Sequence, residues 1–492
     1  MASTQSISSS GTITFSGLAS GIDTSSIVSQ LMALERAPEQ LLTNQKTTMQ
    51  SQVSAYNDLS SALSTLQSLM AGMNTAATFA AKTASVANSS VASVTASSAA
   101  QAGTHSLTVT SLAQSQTLVS ESSTNSGYAS DTAQNFGTGT FTIANAADPL
   151  HPVTVNIDST NNSLQGIAAA INASGANVTA SVVNDGSGTP YRLAIIGKDT
   201  GTYSVTAGLT GGTYDAPTFA EKVSASQAVF QLDGIDMTRT TNAITDAIPG
   251  VTLNLLGTTG SSSGTTGNSS ATTITIGNDT TGVTTEINNF VSSYNNVMSL
   301  INTDTAYDST TNTAGVLFGD STVRTVLNSL QTVLTNQVAG ATGSFSSLAD
   351  IGITSDKDTG LLSVDSSTLS NALSTDFNSV TSLFTQNTGK SGLGLNQYGI
   401  AEEFNQQIDS LVNAYSLSGD SGIIPTRIQG LNDNMTDIDN QIAAMEVRMT
   451  AEENSLNAQF TAMESTLSDT QAWGNQLLAG LGVSTSSTSS SK

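Results

Sequence analysis

Both ends of this chain carry apolar residues that alternate steps of three and four, and this pattern constrains the fold more than any other feature. Near the N-terminus it runs through Leu42, Gln45, Met49, Gln52, Tyr56, Leu59, Leu63, Leu66, Met70 and Met73. Near the C-terminus it runs through Ile428, Leu431, Met435, Ile438, Ile442, Met445 and Met449, and continues after one slip through Leu456, Phe460, Met463 and Leu467. Such spacing puts a narrow apolar stripe on one side of a long helix. A stripe of that kind has to be buried, and the nearest complementary stripe is the other terminal helix. The two are therefore expected to pack antiparallel as a stalk, with Leu59, Leu63 and Leu66 facing Ile438, Ile442 and Met445. Association between subunits is the competing use of the same surface. The methionines could serve as an adaptable binding surface, but at heptad spacing packing is the default reading.

A shorter helix precedes the first seam. Ile27, Leu31 and Leu34 have helical spacing, Asp23 is placed to accept backbone N–H bonds from the first turn, and Pro38 interrupts before the long helix. Residues 1–21 are expected to be mobile. A short helix without a partner is marginal in water, so residues 1 to about 40 are expected to order only on a binding surface.

The character changes between the seams. Short β-branched runs at 106–110, 138–143, 153–157, 178–183 and 191–196 are separated by turn residues such as Asn184-Asp185-Gly186. One helix interrupts them, at Leu164, Ile167, Ala168 and Ile171, and the stretch 257–270 of Gly, Ser and Thr with Asn268 reads as a flexible loop. Helical spacing returns at Ile287, Phe290, Val291, Tyr294 and Val297, and again over 323–334. A hairpin is expected at 351–364, turning on Asp356-Lys357-Asp358-Thr359-Gly360.

The fold class that follows is α+β and multidomain, a helical coiled-coil stalk built from both chain termini with β-rich head domains inserted between them. The expected parts are a flexible segment with a short helix at 1–41; a helical stalk at 42–83 and 281–470; a β-rich head at 84–125 and 220–280; a second, α+β head at 126–219; and a flexible tail at 471–492.

Composition narrows the chemistry. The 492 residues include 13 Lys and Arg against 37 Asp and Glu, a net charge of −24, so a phosphate backbone or an anionic membrane surface would be repelled. The chain has no Cys and only two His, which removes disulfides and thiolate zinc sites and leaves little for an imidazole site. No apolar run approaches a membrane span, and the opening MASTQSISSSGTITFSG lacks the basic and apolar regions of a secretory signal, so another export route is expected if the protein leaves the cell.

Three motifs could suggest chemistry. Gly419-Asp420-Ser421-Gly422 resembles the nucleophile turn of a serine protease, but the candidate bases, His105 and His151, sit in no recognisable motif. Gly389-Lys390-Ser391 ends like a phosphate-binding loop, but the opening glycine is Phe384 and the preceding segment reads as a helix. Asp433, Asp437 and Asp439 lie beside the seam without the glycine turn of a calcium loop, and read as a solvated helix face. Catalytic, cofactor and metal sites are therefore expected to be absent.

The run from Ser16 to Asp23, SGLASGID, continuing as TSSIVSQLMALERAP to Pro38, resembles the N-terminal signature of the bacterial flagellar filament cap family, hook-associated protein 2. Three further stretches are similar to the same family and follow in its order: ASVVNDG from Ala180 with Tyr191-Arg192-Leu193, NAITDAIPGVTL from Asn242, and FVSSYN from Phe290. Gln459 to Glu464, QFTAME, is similar to the family's ending, whereas Trp473 and the Ser-rich tail after Val483 depart from it.

The resemblance implies a ring-shaped homo-oligomer, expected to be a pentamer, at the extracellular distal tip of the flagellum. It implies export by the flagellar type III system without a cleaved signal peptide. It implies flagellin, the hook-associated junction proteins and a cytoplasmic export chaperone as partners, and a filament-contacting N-terminal segment at Ile22, Asp23, Ile27, Leu31 and Leu34. The function implied is capping: retaining exported flagellin and promoting its polymerisation. A filament or junction subunit and a tip adhesin for host glycans or mucin are the alternatives.

Overall fold

The computed structural model describes residues 23–122, 127–260, 270–338, 343–390, 396–413 and 421–481. The expectations for residues 1–21 and for most of the 257–270 loop lie outside these residues. The chain separates into two compact units, one of residues 1–74 and 286–492 and one of residues 75–285.

The first unit is mainly helical. Helix α1 (Thr24–Glu35) starts where the Asp23 side chain accepts the Ser26 N–H, and it stops one residue before α2 (Ala37–Met73). Pro38 explains the break: in the first turn of α2 its missing N–H costs nothing, whereas a continuous helix would lose the bond to residue 34. After α3 (Leu164–Ala173) in the other unit, helices return as α4 (Thr280–Thr305), α5 (Ser321–Thr335), α6 (Ser366–Thr375), α7 (Phe377–Thr385), α8 (Ile400–Val412) and α9 (Ile423–Gly480). Asp320, Asp365 and Asp376 cap α5, α6 and α7 by accepting first-turn N–H groups. The hairpin of Ile353–Ser355 with Leu362–Val364 turns at Gly360, whose φ of +69° suits glycine.

The core of this unit is an aromatic cluster. Phe290 packs against Phe404 with ring centroids 5.5 Å apart and against Phe384 at 6.3 Å, and Tyr294 lies 6.2 Å from Phe404. All four rings are fully buried, which joins α4, α7 and α8. The C-terminal half of α2 completes it through Leu59, Leu63, Leu66 and Met70.

The second unit has two β cores. One lies between a five-stranded antiparallel sheet, 82–86, 272–278, 103–111, 228–232 and 235–239 in spatial order, and a three-stranded sheet of 243–244, 251–255 and 92–96. Leu107, Phe230, Ile274, Leu253 and Leu255 fill it. The other gathers a four-stranded sheet (218–223, 117–121, 191–197, 178–184), a three-stranded sheet (148–157, 138–145, 203–210) and α3 around Phe141, Ile167, Ile171 and Leu193.

Three expected boundaries are corrected. Strands 117–121 and 218–223 pair in the same sheet as 191–197 and pack with the second core, so that core begins before 117 and ends after 223 instead of at 126 and 219. Both strands are short and polar on one side, and only their pairing shows which core they serve. The C-terminal helix continues to Gly480, through the residues expected to begin a tail at 471.

Candidate functional site at the terminal helices

Helices α2 and α9 pack antiparallel. Lys46 Nζ donates to Asp439 Oδ1 at 2.5 Å, which sets their level at one end. At the other, Arg427 Nη2 donates to Asp320 Oδ2 at 3.0 Å beside the buried Tyr56 ring. Asp320 also accepts the Thr322 N–H through Oδ1, so one carboxylate caps α5 and holds the start of α9. Its side chain is 7% exposed. Burial opposes its ionisation, but the Tyr56 hydroxyl, the Thr322 N–H and Arg427 together hold its carboxyl below the usual carboxylate range. Burial, with Asp320 close by, pushes the Tyr56 phenol up to about 12.

These polar contacts overturn the expected pairing of Leu59, Leu63 and Leu66 with Ile438, Ile442 and Met445. With Lys46 level with Asp439, Ile442 stands opposite the first turns of α2, far from Leu63. The C-terminal half of α2 instead lies on α8, where Gln67 donates to the Asn405 carbonyl at 3.3 Å and Asn74 to Glu402 at 2.9 Å. Helix α8 escaped notice, although Ile400, Phe404, Ile408 and Leu411 carry the same three-and-four spacing and are all buried.

The seam residues divide accordingly. Tyr56, Leu59, Leu63, Leu66 and Met70 are buried, and Leu42 and Met49 are half-buried. On α9, Leu431, Ile438 and Met449 are buried, while Ile428, Met435, Ile442 and Met445 are half-buried. The outer part of the pair is thus a thin two-helix contact.

Helix α1 also has a partner, contrary to the expectation of a solitary helix. Val28 and Met32 are buried against Met449, with Leu456 and Phe460 packed beside them. These residues lie about 100° round the helix from the ones expected to make contact. Ile27, Leu31 and Leu34 are 37%, 43% and 73% exposed, and with exposed Leu41 they leave an apolar outer face. Asp23 caps the helix, and Ile22 lies outside the described residues.

The motif residues occupy ordinary settings. His105 Nδ1 is 2.7 Å from Asp233 Oδ2, and His151 Nδ1 is 2.8 Å from Asp148 Oδ1, both in the β unit. Ser421 is exposed ahead of α9 in the helical unit, with Gly419 and Asp420 outside the described residues. Gly389 and Lys390 lie in a short strand, 387–390, after α7, and Ser391 is outside the described residues. Asp439 is taken by Lys46, and Asp433 accepts from Gln429.

Comparison with known proteins places this architecture. Residues 225–472 match the family model described as Flagellar hook-associated protein 2 C-terminus, and residues 20–116 match the one for its N-terminus. The Flagellar hook-associated protein 2 of Escherichia coli K12 is 30% identical over 460 residues, covering 91% of this chain and 93% of the relative. The chain belongs to the flagellar hook-associated protein 2 family. Within the family, the B-type protein of Pseudomonas aeruginosa is 29% identical over 467 residues, covering 90% of this chain and 92% of its own. The crystal structure of the flagellar cap protein FliD D1-D2-D3 domains from Escherichia coli superposes with a TM-score of 0.50 at 30% identity, covering 77% of this chain and 99% of that one. Residues 136–199, within the second β core, match the Flagellin hook IN motif.

Proposed function

We propose that this protein caps the growing flagellar filament: copies of it form a ring at the distal tip, retain exported flagellin and promote its addition. The observation that carries the reading is similarity along nine-tenths of the chain to hook-associated protein 2, joined to a helical unit built from both ends of the chain. The α2–α9 pair serves as a coiled-coil stalk. The apolar face of Ile27, Leu31 and Leu34, with Ile22 and Asp23 ahead of it, contacts the filament. Such a face can exchange partners at little cost, because each apolar contact is weak and non-directional. The chain reaches the tip through the flagellar type III channel with a cytoplasmic chaperone, and meets the junction proteins before the filament extends. A subunit without disulfides and with modest cores suits transport in the unfolded state.

The test is deletion of the gene. Exported flagellin should accumulate in the medium as monomer, because subunits emerging at an uncapped tip diffuse away before adding. Filaments of normal length in the deletion strain would refute the reading.

A further inference from the structure

Strand 178–184 is an edge of its four-stranded sheet, paired with 191–197 on one side only. Its sequence, VTASVVN, is uncharged and rich in β-branched residues, and it keeps register with its neighbour along its whole length. Such an edge is a template for another strand, and proteins blunt it with charge, proline or a bulge. Three other edge strands of the same unit carry these devices: Pro149 and Pro152 in 148–157, Glu221, Lys222 and a register shift in 218–223, and Asp236 and Arg239 in 235–239. Strand 178–184 has none of them. What it has is Asn172, in the last turn of α3, from which the chain reverses at Gly175, with a φ of +79°, to enter the strand. Asn172 Nδ2 donates to the Ala180 carbonyl at 2.7 Å, and Asn172 Oδ1 accepts the Ala180 N–H at 2.8 Å.

We propose that Asn172 guards this edge: its side-chain amide takes the place of a neighbouring strand and keeps the second β core from pairing edge to edge with a second copy of the chain. The geometry of the ladder carries this. In an antiparallel sheet alternate residues direct both backbone groups to the same side. Both groups of Ala180 are held by Asn172, so they point away from 191–197, and those of Val178 and Val182 point the same way. Two copies of the strand fit one another antiparallel about Ser181, with Ala180 of each exchanging both bonds with Val182 of the other. Ser181 then faces its own copy with Cα atoms about 4.5 Å apart. The exposed Thr179, Ser181 and Val183 side chains carry no charge to oppose this approach. Asn172 blocks the central pair in both copies at once, because both backbone groups of each Ala180 are already engaged. An amide matches the donor and acceptor of a backbone unit, so the edge is closed without leaving either group unpaired. The guard acts within the second β core, and it stands whether or not the chain caps a filament.

The chain has no Cys, so Ser181→Cys places a single thiol at the centre of the pair. Formation of disulfide-linked dimer is measured in the full-length chain under mild oxidation, at several protein concentrations. With Asn172 in place the dimer should form slowly. Adding Asn172→Ala should raise the rate roughly tenfold, since the edge regains a pair of backbone bonds for its copy. Asn172→Leu, which keeps the size of the side chain, should do the same, and both replacements are better helix formers than Asn, so α3 persists. The Leu193 N–H donates to Ser120 Oγ at 2.8 Å inside the core, and its slow exchange in every variant verifies that the fold is intact. Val182→Pro removes an N–H that pairing between copies needs and the ladder to 191–197 does not, so it should cancel the gain. Equal dimer formation with and without Asn172 would overturn the proposal. A gain that survives Val182→Pro would overturn it too, because the copies would then be meeting elsewhere.

Discussion

Truncating Leu63 to Ala tests which helix the first seam serves. Leu63 is fully buried, so its side chain contributes about 1.5–3 kcal/mol by transfer from water, and truncation costs about 2–5 kcal/mol once the cavity is included. For a unit of this size each kcal/mol lowers the melting temperature by roughly 2–4 °C, so a fall of roughly 5–15 °C is expected in the helical transition. The two β cores are built from other residues, so their transition should stay in place. The cycle with a second truncation is more decisive. Gln67 on Asn405 puts Leu63 level with about Ile408 of α8, so Leu63→Ala and Ile408→Ala should be coupled by about 0.5–3 kcal/mol. Ile442 lies about 30 Å further along α2, by the 1.5 Å rise from the Lys46 contact, and beyond that distance effects add. Leu63→Ala and Ile442→Ala should therefore be additive within about 0.5 kcal/mol. Calorimetry and urea titration of the monomer supply all four stabilities of each cycle. Coupling to Ile442 and additivity with Ile408 would refute the observed register.

Asp320→Ala should destabilise the helical unit by about 3 kcal/mol in urea titration, because Arg427 loses its partner and α5 its cap; Asp320→Asn, which keeps an acceptor, should cost less. The same carboxyl has a pH signature. Its folded value lies below the ordinary 3.8, so its contribution is complete above that value and is lost as pH falls through the lower folded one; the acid limb of helical melting should flatten in Asp320→Asn. In the β unit, Arg192 and the Ser187 groups hold the Asp185 carboxyl at about 2, and an NMR titration should find that midpoint and see it rise toward 3.8 in Arg192→Gln. Asp23→Ala should fray the start of α1, read as faster amide exchange at Ser26, and unchanged exchange would discount the cap.

Much of the local structure was legible because it depends on neighbours in sequence. The Asp23 cap, the break at Pro38, the strands at 138–143 and 191–196, the helix at 164–171 and the hairpin turning on 356–360 are each set by residues within a few positions of one another. The family signature from Ser16 to Pro38 was equally readable, being a contiguous string. The candidate interface was legible only as a list of apolar positions: Leu63 and Ile438 both end up buried, but not against each other.

What sequence alone determined, then, is the periodicity, the caps and breaks, and the family. Tertiary structure decided partner and register. A heptad stripe is nearly unchanged when slid by seven residues, and an apolar surface accepts α8 as readily as α9, so burial by itself cannot choose between them. The choice is made by directional polar contacts: Lys46 with Asp439, Gln67 with the Asn405 carbonyl, and Arg427 with Asp320 beside Tyr56. Each joins residues more than a hundred positions apart, and their geometry exists only once the helices have met.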